Sequence, residues 1–392
     1  MFSSRVPHDP QTNPLMAELE ARRRNGDPLL DLTETNPTQV GLRYDAEAIL
    51  AAWSRPEALI YEPSPRGLRT AREAVAAYYA DHGRAIDPDS LFLTASTSEA
   101  YAFAFKLLGN PGDQVLMPEP SYPLFEQLVS LEGLVPVSYR LEQDGAGGWR
   151  PDEASLRAAW GPRARAVVAV SPNNPTGSYL APADRALLSK LCVERGAAFL
   201  VDEVFLDYPS RDWAGRADTA AGNDAALTLV LSGLSKVAAL PQAKLGWIQV
   251  SGPADPAREA CARLELIADT YLSVGTAIQH GAPELLARRG AIQDCLRERL
   301  ETNARTLAAA CAGGPLVPLP REGGWYGVLR LPRGWTDDET ALRLLREEGV
   351  LVHPGYFYDF ADEDLIVLSL ICAPEVFAKG GFDVVLGNPP WE

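Results

Sequence analysis

Between Ala197 and Trp247 two runs stand out, AAFLVDEVF (197–205) and TLVLSGLSKVAALPQAKLGW (228–247). Their apolar parts are continuous rather than alternating, the pattern of strands buried on both faces, and each run delivers a charged residue at its end, Asp202 in one and Lys236 in the other. Working outward, runs of the same kind recur as SLFLTAS (90–96), QVLMPEP (114–120), VPVSYRL (135–141), RAVVAVS (165–171) and LGWIQVSG (245–252). Helix-compatible segments separate most of them, such as SEAYAFAFKLLG (98–109) and PADRALLSKLCVERG (182–196). Strands alternating with helices predict an α/β domain built on a doubly wound, mostly parallel sheet of about seven strands.

A long helical stretch from about Pro253 to Ala310 carries the chain away from this sheet. After it, GGWYGVLRLP (323–332), a helix near TDDETALRLLREEG (336–349), VLVHPG (350–355) and LIVLSLI (365–371) read as a small α+β unit. The expected division is residues 1–45 as an N-terminal arm and part of the small unit, 46–285 as the large domain and 286–392 as the small C-terminal domain. The last thirteen residues, GGFDVVLGNPPWE (380–392), are apolar and turn-rich where an amphipathic helix is the natural finish. Their N-P-P-W resembles an element of N6-adenine methyltransferases. A four-residue match with no Gly-rich cofactor loop after an early strand carries little, and a foreign or frame-altered tail is the expectation.

Composition narrows the function classes. At 392 residues and 46% hydrophobic the chain can bury a full core. A net charge of -16 argues against a nucleic-acid partner, which needs a basic surface. The opening MFSSRVPHDPQTNP (1–14) lacks a basic stretch followed by an apolar run, and no apolar run reaches the ~20 residues of a membrane span, so a cytoplasmic protein with no membrane association is expected. Cys192, Cys261, Cys295, Cys311 and Cys372 are scattered like thiols of a reducing compartment, and the four histidines are too dispersed for a metal cluster.

Lysine is scarce, with five positions, so a lysine at a strand end is informative. In parallel sheets the working groups lie at the carboxyl ends of the strands. There the sequence places the amine of Lys236, the carboxylate of Asp202, the ring of Tyr122 in SYPLF (121–125) and the amide of Asn174 in SPNNPTG (171–177). Ser96, Thr97 and Ser98, in TASTSEAYAF (94–103), open a helix whose free N–H groups and hydroxyls suit a phosphate, although capping alone also explains them. An imine-forming amine, a carboxylate to keep a pyridine nitrogen protonated, an aromatic plane and a phosphate cup are the set that pyridoxal 5′-phosphate (PLP) requires.

SPNNPTG, VDEVF and SGLSKVAALPQAKLGW, in this order and spacing, resemble the PLP-dependent class I/II aminotransferases of fold type I, and YEPSPRGLRTAREAVAAYY (61–79) resembles the family's Y-x-P-x-x-G-x-x-x-L-R segment. The resemblance covers about residues 30 to 375. It implies a large PLP-binding domain, a homodimer with shared active sites, Tyr61 reaching the neighbour's phosphate, and Ser273 or Thr276 in the interface loop. It also implies transfer of an amino group between an amino donor and a keto acid through Schiff-base and pyridoxamine intermediates. Ser235 joins the cofactor-binding candidates, and Asn36 the substrate-binding ones. A PLP lyase or decarboxylase shares every cofactor residue and stays an alternative, and a non-catalytic PLP-sensing protein is a more distant one.

Three positions depart from the family's pattern. Lys244 stands where an arginine usually grips the phosphate, which keeps the charge but not the bidentate fork. Phe205 replaces a tyrosine whose hydroxyl meets the cofactor's phenolic oxygen. Val367 replaces the arginine that grips the substrate carboxylate, so either the substrate lacks an α-carboxylate or another cation supplies the grip. Arg5, on the arm, and Arg66, near Tyr61, are the candidates for that clamp.

Overall fold

A computed structural model describes residues 2–6, 13–145, 147–215, 217–272, 274–362 and 364–378. The tail at 380–392 and Ser273 lie outside the described residues. In chain order the strands are β1 (Leu30–Asp31), β2 (Leu91–Thr94), β3 (Gln114–Glu119), β4 (Val135–Gln143), β5 (Trp149–Pro151), β6 (Ala164–Val170), β7 (Ala198–Asp202), β8 (Thr228–Gly233), β9 (Gly246–Ser251), β10 (Val317–Pro318), β11 (Tyr326–Arg330), β12 (Val350–Leu351), β13 (His353–Pro354) and β14 (Leu365–Ser369).

The large sheet runs β2-β9-β8-β7-β6-β3-β4-β5. From β8 through β4 the neighbours are parallel, while β9 is antiparallel to both its neighbours and β5 is antiparallel to β4. All seven apolar runs of the sequence become strands of this sheet. The eighth among the described residues, β5, is three residues pairing with Leu141–Gln143, too short and polar to read as a run. Strands β7 and β8 are buried along their whole length because helices cover both faces, which is why their sequences do not alternate.

Because β9 runs against β2 and β8, its first residue, Gly246, lies beside the last residues of both, Thr94 and Gly233. A Cβ on Gly246 would stand 2.9 Å from the Ser96 carbonyl carbon and 3.1 Å from the Thr97 nitrogen, so the glycine lets the helix Thr97–Leu108 begin directly against the sheet. That helix starts on a reciprocal cap: the Ser96 hydroxyl accepts the Glu99 N–H, and the Glu99 carboxylate accepts the Ala95 N–H.

The long helical stretch consists of three helices, Ala254–Tyr271, Thr276–Ala287 and Arg289–Cys311, the first ending where Leu272 takes a left-handed conformation. Among the described residues, no helix is long and apolar enough to cross a membrane. Beyond it, β10-β11-β14-β13 form a second, antiparallel sheet. The N-terminal residues join this unit: β1 pairs with β12, and Leu15, Leu19, Leu32 and Val40 share one apolar cluster with Leu296, Leu345 and Ile366.

Candidate active site

The carboxyl ends of β6, β7 and β8 and the start of the helix Thr97–Leu108 surround a cavity of about 250 Å³. Two surface grooves of about 610 Å³ are larger, but neither is lined by Lys236 or Asp202. Thr97, Ser98, Tyr122, Asn174, Asp202, Phe205, Ser235 and Lys236 all line the smaller cavity, so residues far apart in the sequence converge there.

Strand β8 ends at Gly233, and one short turn of helix, Leu234–Val237, turns Lys236 inward. Its Nζ lies 4.8 Å from the Trp325 ring centre and 5.7 Å from that of Phe205. Burial pushes the amine down to about 8, with the nearby Asp202 carboxylate pulling the other way. Asp202 ends β7, where Oδ1 accepts the Val204 N–H at 3.0 Å and Oδ2 accepts the Tyr101 hydroxyl at 3.0 Å. Burial raises this carboxyl to about 6, while those two hydrogen bonds and Lys236 pull it back toward the ionised form.

The two asparagines of SPNNPTG divide their work. Asn173 is tied into the turn, donating to Pro120 O and Thr176 Oγ1, both at 3.0 Å. Asn174 faces the cavity, and its side-chain oxygen is buried without a protein partner. Tyr122 stands edge-on to Phe125, with ring centres 5.6 Å apart. Phe205 packs against Trp325 and offers the cavity no polar atom.

Several expected residues lie elsewhere. Ser96 is spent on the helix cap and does not line the cavity. Arg66 is held by Glu265 at 2.7 Å and lies over the Phe92 ring, and Arg5 donates to Leu131 O on the exposed surface, so neither clamps a ligand in the cavity of this chain. Asn36 folds its side chain onto Thr38 in a local turn while its neighbour Thr35 faces the cavity. Tyr61 and Lys244 are exposed and line none of the cavity, and Thr276 opens a helix outside it.

Sequence reading missed Tyr101, Tyr326 and Thr35. Tyr101 had a signal: it is four residues after Thr97 on the same helix and therefore on the same face. The other two come from β11 and the N-terminal arm, where only the tertiary fold brings them to the site.

The donor set suits PLP. A buried amine, a carboxyl braced by a phenol, an aromatic ring, hydroxyls at a helix start and an amide with an unsatisfied atom are present together. Fold and site thus define the fold type I frame of PLP enzymes. The family model for aminotransferase class I and II matches residues 33–366, and the chain belongs to that PLP-dependent family. Over 269 residues the chain is 29% identical to glutamate-pyruvate aminotransferase AlaA of Escherichia coli (strain K12). That match covers 68% of this chain and 65% of the relative, just under two thirds of its length. Over 375 residues the chain is 30% identical to an alanine aminotransferase of Mycobacterium tuberculosis (strain ATCC 25618 / H37Rv), covering 93% of this chain and 80% of that one. The solved structure of alanine aminotransferase from Pyrococcus furiosus shares the fold at a TM-score of 0.86 and 22% identity, covering 98% of both chains.

Proposed function

We propose that this chain is a PLP-dependent aminotransferase that moves an amino group between a small amino donor and a keto acid. The observation that carries the reading is the buried Lys236 amine facing the same cavity as the Asp202–Tyr101 pair. When bound, PLP supplies an electron sink for the bond broken at the donor's α-carbon. Lys236 would hold the cofactor through its Nζ, and the freed amine would take and return a proton at the donor's α-carbon. Asp202, fixed by Tyr101 and the Val204 N–H, which both favour its ionised form, would face the pyridine nitrogen and favour its protonated form. Among the other lining residues, Tyr122 would cover the ring, Asn174 would serve the phenolic oxygen, and Thr97, Ser98 and Ser235 would hold the phosphate.

Relatives named for alanine, and for glutamate and pyruvate, make L-alanine the first donor to test. The absorbance band of the holoprotein should bleach with L-alanine, release pyruvate, and return with a keto acid. Ammonia or carbon dioxide released in place of a regenerable cofactor would favour the lyase or decarboxylase chemistry that the same residues permit.

The protein works as a homodimer in this reading, which is supported by exposed apolar side chains at Leu59, Ile60 and Tyr61 and at Leu266, Tyr271 and Leu272. Tyr61 and Lys244 then serve a site completed by the second copy. The division at residues 45 and 285 is supported by the shared cluster of the arm with the C-terminal unit. Free thiols at all five cysteines support a cytoplasmic location.

A further inference from the structure

Position 367 is fully buried in β14, directly opposite Val328 on β11 and His353 on β13, so these three side chains leave the sheet on one face. Among the described residues that line the cavity, Lys236 is the only cation. A carboxylate entering from this side therefore meets no arginine, and burying it without partners is costly.

It does meet hydroxyls. Tyr326, two residues before Val328 and on the same face of β11, lines the cavity, with the Thr35 and Asn174 side chains near its hydroxyl. Behind it stands Tyr358, buried and edge-on, with ring centres 6.1 Å apart. The Tyr358 hydroxyl lies 2.9 Å from Nδ1 of His353, the side chain next to Val367. Burial lowers the His353 pKa against a smaller opposing pull from Asp31, which favours the neutral ring, and the direction of its hydrogen bond with the Tyr358 hydroxyl follows the ring's tautomer.

We propose that the Tyr326 hydroxyl, with Thr35 and Asn174 beside it, seats the carboxylate of the amino donor in place of an arginine, and that Tyr358 and His353 position Tyr326. The proposal rests on the aminotransferase reading for the identity of the donor. Three neutral donors satisfy a carboxylate, which has about four acceptor sites, and hydrogen bonds to the charged group are stronger than neutral ones. The seat lacks the long reach and net charge of a guanidinium. Selection for a carboxylate is accordingly weaker, and an amine without one is a tolerated donor.

Two measurements on holoprotein test this, one of them independent of turnover. In Tyr326→Phe, the ratio of kcat/KM for L-alanine to kcat/KM for ethylamine should fall about ten- to a hundredfold, the usual effect of losing a hydrogen bond to a charged group. Binding of propionate, followed by thermal shift, should weaken by a similar factor, while propionamide binding should not follow. Tyr358→Phe should move the same ratio by a smaller factor. An unchanged ratio and unchanged propionate binding in Tyr326→Phe overturn the seat, as does an equal loss for alanine and ethylamine. If neither donor bleaches wild type but propionate binding still depends on Tyr326, the transaminase reading fails and the carboxylate seat stands.

Discussion

At the strand ends the cavity is lined by ionisable groups: Lys236 and Asp202 are each shifted toward neutrality by burial and each favoured in its charged form by the other. On the side of the second sheet it is phenolic, with Tyr326 in front of Tyr358 and valine at position 367. The ionic half carries residue types dictated by the covalent chemistry of one cofactor, and it sits on three adjacent parallel strands. The phenolic half is assembled from β11, the arm and the turn after β13, and nothing in the cofactor's chemistry constrains it. The contrast suggests that the two halves can be perturbed separately.

Lys236→Ala tests the ionic half hardest. Turnover should drop by more than about 10⁴-fold, since the proposed roles of imine former and proton carrier both fall to this amine, while propionate binding on the phenolic side persists. Loss of propionate binding as well would join the two halves into one unit. Asp202→Asn should lower kcat by about 10²- to 10³-fold, the scale seen when one preorganised electrostatic group is removed, and leave the alanine-to-ethylamine ratio unchanged. A changed ratio would place Asp202 in donor selection.

Gly246→Ala pushes a Cβ into the Ser96–Thr97 backbone. The expected cost is about 1–3 kcal/mol in stability, accompanied by weaker PLP affinity because the helix start backs away. Calorimetry and PLP titration check it, and a variant with wild-type melting and affinity would mean that the contact is slack.

Capture of PLP by the apoprotein should depend on pH through Lys236. The neutral amine is the nucleophile, so the rate rises about tenfold per pH unit below about 8 and levels off above it. Because Asp202 holds the lysine's pKa up, Asp202→Asn should move that midpoint to lower pH. A midpoint near that of a free lysine would show the amine to be solvated. The smallest effect is expected for Phe205→Tyr, which adds a hydroxyl facing the phenolic oxygen and should lower the titration midpoint of the cofactor's absorbance by up to about one pH unit. No change would leave Asn174 as the group serving that oxygen.

The two halves also differ in how far the sequence reveals them. Lys236, Asp202 and Asn174 each follow a strand-forming run within a few residues, so local pattern and strand-end position place them together. Asn36 shows the limit of that reasoning: it is the polar residue of an exposed turn that folds onto itself, and its less conspicuous neighbour Thr35 enters the cavity. Arg66 and Arg5 had the right charge, but Arg66 meets Glu265 and Arg5 a backbone carbonyl, partners that no local pattern announces. Tyr326 is invisible for the same reason, since its role depends on the register of β11 with β14 and on an arm almost 300 residues earlier in the chain. The sheet itself was legible because burial on both faces writes continuous apolar runs. Strand β5, held by pairing along one short edge, writes none.

Every role proposed for the cavity depends on the buried lysine just after β8 being the group that binds the cofactor. Borohydride reduction of the PLP-loaded protein followed by peptide mapping tests it directly. The expected result is a single phosphopyridoxyl group on Lys236 and none on the exposed Lys244. An adduct on Lys244, or an unmodified Lys236 in fully loaded protein, would contradict it.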